Sequence, residues 1–257
     1  MKSLALTFMT CLVFVVGGMS SQPAHSAGGG EHIPEQSWSF DGVFGTYDRA
    51  SLQRGFQVYK QVCATCHSME KLYYRNLSAL GYNEAELKAI AAEYTVMDGP
   101  NDEGEMFERV ALPSDPFISP FPNKKAAEYA NNGAYPPDFS LIALAKHGGP
   151  DYLYAVLTGY EDAPAHMELL PGQYYNKYKD GHIIAMAPPL SDGLVEYGDG
   201  SPQTVSQYAK DVSHFLAWAA SPELETRKQT GIKVFLFLLV FAGVMYAYKK
   251  KVWADAH

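Results

Sequence analysis

The chain has 257 residues, of which 47% are hydrophobic and 19% charged, so it has enough apolar material for one sizeable core or two small ones, and wholesale disorder is excluded. The net charge of −8 hides a division. Residues 27–226 carry 13 Lys or Arg against 27 Asp or Glu, a net −14, which argues against nucleic acid as a partner and favours salt-sensitive encounters with basic ones.

Residues 1–26 read as a secretory signal peptide: Lys2, an apolar run from Leu4 to Val16, then small residues at Ala24, Ser26 and Ala27, with cleavage expected after 26 or 27. The apolar run is short of the roughly 20 residues a bilayer span needs. A mitochondrial transit peptide would be rich in arginine, and none precedes Arg49. An exported domain over 27–226 follows. Its first periodic segment places Leu52, Phe56, Tyr59 and Cys63 on one face of a helix.

That helix leads into Cys63-Ala64-Thr65-Cys66-His67. With Cys11 leaving in the signal peptide, Cys63 and Cys66 are the only thiols of the mature chain, so a structural disulfide framework is not expected. C-x-x-C-H is the pattern of covalent c-type haem attachment: two thiols three positions apart meet the two haem vinyl groups, and the adjacent imidazole becomes the proximal iron ligand. A thioredoxin-type pair has no use for the histidine, and a zinc site would need a second ligand pair. One covalent haem c is the expected cofactor.

Further along, Asn83 to Val96 opens on the capping box of Asn83 and Glu86 and is expected to be helical. Short helices are expected over Asp138 to His147 and over Pro150 to Thr158, ending at Gly148 and Gly159. No strand pattern stands out. The sixth iron ligand decides between electron carrier and enzyme, and Met186 is the candidate, because Pro188 and Pro189 stiffen the loop that carries it. Met69 is too near the motif, while Met97, Met106 and Met167 read as gap-fillers. His182 is the alternative, and would give a bis-histidine haem of lower potential; His147, His166 and His214 read as surface or core residues.

A closing helix is expected from Val205, Tyr208, Val212, Phe215, Leu216 and Ala219, with Ser201 as N-cap and Pro202 in first position. Residues 227–249 form the expected transmembrane anchor, since Thr230 to Tyr248 is interrupted by one charge, Lys233. Lys249, Lys250 and Lys251 put the tail, 250–257, on the cytoplasmic side. The fold class expected is therefore mainly α: a class I cytochrome c-like haem domain with a long insertion, plus one C-terminal transmembrane helix. The insertion follows from the 119 positions between His67 and Met186, more than a haem domain of about 100 residues accommodates.

Asn131-Asn132-Gly133-Ala134-Tyr135-Pro136-Pro137-Asp138, His147-Gly148-Gly149-Pro150-Asp151-Tyr152 and Leu157-Thr158-Gly159-Tyr160 closely resemble the insertion of the cytochrome c1 family. The resemblance takes in Cys63 to His67, Met186 to Leu190 and the single C-terminal anchor, and spans nearly the whole mature chain. It implies that Cys63 and Cys66 hold the haem, that His67 and Met186 ligate iron, and that Arg109 neutralises a haem propionate. It also implies a function: relay of electrons within a dimeric quinol:cytochrome c oxidoreductase (bc1) complex beside cytochrome b. The Rieske iron–sulfur protein would be the donor, a soluble cytochrome c or c2 the acceptor, and the bacterial inner membrane the location, with the haem domain periplasmic. The acidic run Asp98, Asp102, Glu103, Glu105 and Glu108 is one candidate docking patch. In one respect the chain departs from some bacterial members, because it lacks the extra cysteine pair that ties a loop near the methionine. Packing by the tyrosines and prolines from Tyr174 to Pro189 is expected to hold that loop instead. Two other classes are weighed against this one. A haem peroxidase would need an open iron or a second haem, and a free-standing tethered carrier would be expected to have an N-terminal tether and a compact domain.

Overall fold

The computed structural model describes residues 31–254. The expected signal peptide, with Cys11, and the end of the tail lie outside the described residues. Helix α1 (Arg49–Gln61) starts on Asp48, whose carboxylate accepts from the Ala50 N–H at 3.0 Å, and buries Leu52, Phe56, Val58 and Tyr59. It stops short of the motif. Cys63 lies on the 3-10 turn Cys63–Thr65 that follows, rather than on the helix face that periodicity suggested.

The domain is organised around the crossing of α1 with the helix Val205–Ala220. A Cβ added at Gly55 would lie 2.1 Å from the backbone oxygen of Asp211, so the two backbones approach closely because position 55 carries no side chain. Phe56 and Tyr59 meet Phe215 at ring separations of 5.7 and 5.8 Å. Arg54 pairs with Asp211, which is 1% exposed and also accepts from the Tyr197 hydroxyl at 3.0 Å. This pair ties the two helices together where they cross.

Between the two crossing helices, α2 (Glu84–Ala91) carries both hydrogen bonds of the Asn83–Glu86 capping box. It ends five residues before the expected Val96, because β-branched Thr95 and Val96 pair instead with Val110 and Arg109. Strands β1 (Thr95–Asp98) and β2 (Phe107–Val110) form an antiparallel ribbon, and β3 (Tyr174–Tyr175) with β4 (Ile183–Ile184) forms a second. Neither was legible as a strand, since runs of two to four half-exposed residues carry no period. Helix α3 (Lys124–Ala130) is capped by Asn123. The helix expected over Asp138 to His147 shrinks to α4 (Ile142–Ala145). Helix α5 (Gly149–Thr158) has Pro150 in its first turn, as expected, and packs on the closing helix α6 (Val205–Ala220). The cap of α6 is Thr204, not Ser201, whose N–H bonds to Asp199.

Helix α7 (Leu224–Val252) is 29 residues long and buries none of them against the rest of the chain. Its mean hydropathy and length are those of a membrane span. The molecule is thus helix-rich, with two small sheets and one apolar C-terminal helix.

Candidate haem site

The proximal side is built by folding one turn of chain against a distant segment. After α1, the amides of Cys66 and His67 both bond to the Cys63 oxygen, at 3.1 and 2.9 Å, which curls the motif into one compact turn. Cys63 and Cys66 are free thiols, both half-buried, and burial pushes the Cys63 thiol up to about 12. His67 is 8% exposed. Its ring stacks on Phe139 with centroids 3.9 Å apart, and its Nδ1 lies 2.8 Å from the Pro137 oxygen. A carbonyl can only accept, so Nδ1 carries the proton and Nε2 keeps its lone pair. Burial lowers the His67 pKa, against the opposing pull of Pro137 and Asp138, and so favours the neutral imidazole a metal requires.

Pro137 is in place because Asp138 latches its segment down. One Asp138 oxygen accepts from the Ser68 hydroxyl and the Glu70 N–H, both at 2.9 Å, and the other from the Ser140 N–H at 2.8 Å. Burial works to raise the Asp138 pKa, and these donors outweigh it. The Phe139 N–H to Ser68 oxygen bond, 2.8 Å, completes the latch. Met69 beside it is fully buried, in keeping with a packing role. A pocket of about 280 Å³ opens alongside, lined by Cys66, Ser68, Pro120, Tyr135 and Pro136 among others.

Met186 lies on a half-buried loop, and its backbone oxygen accepts from the Tyr160 hydroxyl at 3.1 Å. Tyr160 lies outside the stretch expected to hold this loop. Within that stretch, the β3–β4 pairing brings Tyr174 opposite Ile184, and fully buried Asn176 donates its Nδ2 to the Val156 oxygen of α5 at 2.7 Å. His182 is occupied elsewhere: its ring stacks on Tyr175 and its Nδ1 meets the Lys177 oxygen at 2.9 Å. Met97 and Met106 are 59% and 57% exposed, so the gap-filler reading fails for both: their side chains face away from the core. His147 and His166 are exposed, while His214 is buried among Trp38, Phe40 and Tyr47.

Arg109 sits on β2. Its guanidinium is bidentate to Asp115, at 2.6 and 3.0 Å, bonds Asp98 through Nε and reaches the Val110 oxygen at 3.1 Å. Four of its five N–H groups are thereby committed. The partners are Asp98 and Asp115 rather than the neighbouring Glu105 or Glu108. Among the described residues no group of three or more His, Cys, Asp or Glu is placed to hold a metal ion.

The proximal residues fit a c-type haem: two unbridged thiols and an adjacent imidazole with a fixed tautomer and a free Nε2. Pro137, Asp138, Phe139 and Tyr160 were not singled out for these roles. The first three belong to the Asn131–Asp138 motif or follow it, and nothing in their type marks a contact across some 70 residues of chain.

The Cytochrome C1 family matches residues 38–256. A mitochondrial cytochrome c1 heme protein of Arabidopsis thaliana is 51% identical over 92% of this chain and 78% of its own length. Cytochrome c1 of Rhodospirillum rubrum is 45% identical over 95% of this chain and 94% of its own. The cytochrome b/c1 of Bradyrhizobium diazoefficiens is 47% identical over 99% of this chain, which spans 40% of that longer protein.

Proposed function

The chain belongs to the cytochrome c1 family, and from that premise we propose that it is the haem-bearing electron-transfer subunit of a cytochrome b-c1 complex. Cys63 and Cys66 would hold one haem c through thioethers, and His67 Nε2 and Met186 would ligate its iron. When bound, the haem would supply a one-electron couple, which suits electron relay. The observation that carries this reading is the hydrogen bond from His67 Nδ1 to the Pro137 oxygen, which orients a neutral imidazole beside two adjacent thiols. Pro137 and Asp138 then orient the imidazole, and Tyr160 tethers the loop that offers the thioether.

In this reading electrons come from the Rieske iron–sulfur protein and leave to a soluble cytochrome c or c2. Cytochrome b is the neighbour in the membrane, within a dimeric complex. Residues 27–226 form the periplasmic haem domain, with class I-like packing of α1, α5 and α6 and a long insertion between His67 and Met186. Residues 227–249 span the bacterial inner membrane once, and 250–257 lie in the cytoplasm. Support comes from three lysines, Lys249 to Lys251, at the end of an apolar helix. Arg109, held in place by Asp98 and Asp115 with one N–H uncommitted, would give that N–H to a haem propionate. Asp102, Glu103, Glu105 and Glu108 are all exposed on the β1–β2 ribbon and its loop, and form the docking patch for the acceptor. Reversing those charges should flatten the salt dependence of cytochrome c reduction; an unchanged slope removes the patch.

The decisive test is gentle isolation through a tag on the C-terminal tail, followed by a reduced-minus-oxidised spectrum. Co-purifying b-type haem and quinol-driven reduction of the c haem are expected. A lone c haem that quinol cannot reduce would instead mark a free-standing tethered carrier.

A further inference from the structure

Beside the first turns of α7, the chain makes a tight turn over residues 40–45. Its tip presents two adjacent apolar side chains, Val43 and Phe44, that are 63% and 83% exposed. Isolated exposed hydrophobics are ordinary, but these two sit on a turn that the structure takes care to hold still. The Thr46 N–H bonds the Ser39 oxygen and the Asp41 N–H bonds the Trp38 oxygen, both at 3.1 Å. The Trp38 N–H in turn donates to the Asp41 carboxylate at 2.8 Å. At the neck, a Cβ on Gly45 would stand 2.0 Å from the Asp41 oxygen, so the chain can close there only with glycine.

The turn is fastened to α7 rather than to the haem site. Lys228 Nζ donates to the Phe40 oxygen at 2.6 Å and to the Gly45 oxygen at 3.1 Å. Glu225 accepts from the Tyr47 N–H at 2.7 Å and pairs with Arg49 at 2.8 Å. Lys228 precedes Thr230, where the apolar span begins, by two residues, or roughly 3 Å of helix rise. The headgroup layer extends roughly 5 to 8 Å beyond each side of the hydrocarbon core. A turn pinned to Lys228 is therefore held at headgroup height.

We propose that Val43 and Phe44 form a second bilayer contact, seated in the headgroup–acyl boundary beside α7 and fixing how the haem domain stands on the membrane. The occupant is lipid because the turn is pinned to the anchor two residues before its apolar span begins, and aromatic side chains favour that depth. Lys228, which would otherwise snorkel, spends its ammonium on the turn's carbonyls and so couples turn and anchor into one unit. This rests on the reading of α7 as a membrane span.

A spin label at F44C in the haem-loaded protein, reconstituted in lipid nanodiscs, tests it, because the haem thioethers occupy Cys63 and Cys66 and leave the label a single thiol. Matched labels at L239C in the anchor and Y129C on the exposed face calibrate depth. The expected result is that collisions with oxygen exceed those with a water-soluble nickel complex at F44C, at a depth between the two references. Nickel access equal to Y129C, or loss of both collisions through protein burial, overturns the proposal. An aqueous signal at L239C itself overturns the membrane span and the proposal with it, so the two failures are distinguishable.

Discussion

His67 and Met186, proposed to ligate the same iron, sit in unlike surroundings. His67 closes the compact turn that follows a core helix, is 8% exposed, stacks on Phe139 and is oriented by Pro137 through a latch of three donors to Asp138. Met186 is half-buried in a loop whose regular structure amounts to two residue pairs of β3 and β4, and one hydroxyl, from Tyr160, holds its backbone. The proximal half is core with a ligand attached. The distal half is a loop held by a few polar contacts, so it is the half that should loosen first.

Substitutions at the two ligands open that contrast widest. His67→Ala should abolish haem incorporation, read as loss of haem stain on a denaturing gel. Met186→His should keep the haem covalently bound and lower its midpoint potential by a few tenths of a volt, within the roughly 0.8 V over which axial ligation acts. An unchanged potential in Met186→His would remove Met186 as ligand.

The core that backs the proximal side is probed next. Arg54→Met leaves Asp211, 1% exposed, without its guanidinium partner, and should cost about 3–5 kcal/mol in chemical denaturation. A loss below about 1 kcal/mol would mean that Tyr197 and Gln207 suffice to hold the carboxylate.

Acid should weaken the same core through His214, on α6. Burial, chiefly, drops its pKa from 6.5 to about 4, with Asp48 and Asp211 opposing and Arg54 and Lys210 assisting. The folded chain keeps the imidazole neutral while the unfolded chain binds a proton below about 6.5, so stability is full above that pH and is lost as the pH falls toward 4. Between pH 7 and pH 5 the loss is on the order of 2 kcal/mol. Denaturation curves at the two pH values should show it, and His214→Phe should remove that part of the difference.

The smallest expected effect bears most directly on the distal loop. Tyr160→Phe deletes the hydroxyl that holds the Met186 oxygen and should cost about 1 kcal/mol. It should also let carbon monoxide reach the reduced haem more readily than in the parent. Were the carbon monoxide response unchanged, the β3–β4 hairpin and Asn176 would be holding the loop without Tyr160.

What could be read from residues alone was whatever rests on local chemistry. Cys63, Cys66 and His67 declare a haem because the thiols and imidazole must be neighbours in sequence. α1, α5 and α6 show a helical period or breaker signals, and the anchor is long, apolar and ended by lysines. Met186 was a choice among methionines, favoured by the prolines after it. Tertiary structure alone decided the rest. The Asp138 latch, the Pro137 carbonyl on His67, the Tyr160 tether and the ion pairs of Arg109 join residues whose types are common and whose partners lie far off along the chain, or in a ribbon too short to show a pattern. A side chain's type records what bonds it can make. Which partner it meets is set by how the backbone folds back, and that is fixed by the packing of α1 against α6 and by Gly55, where the absence of a Cβ lets the two helices touch.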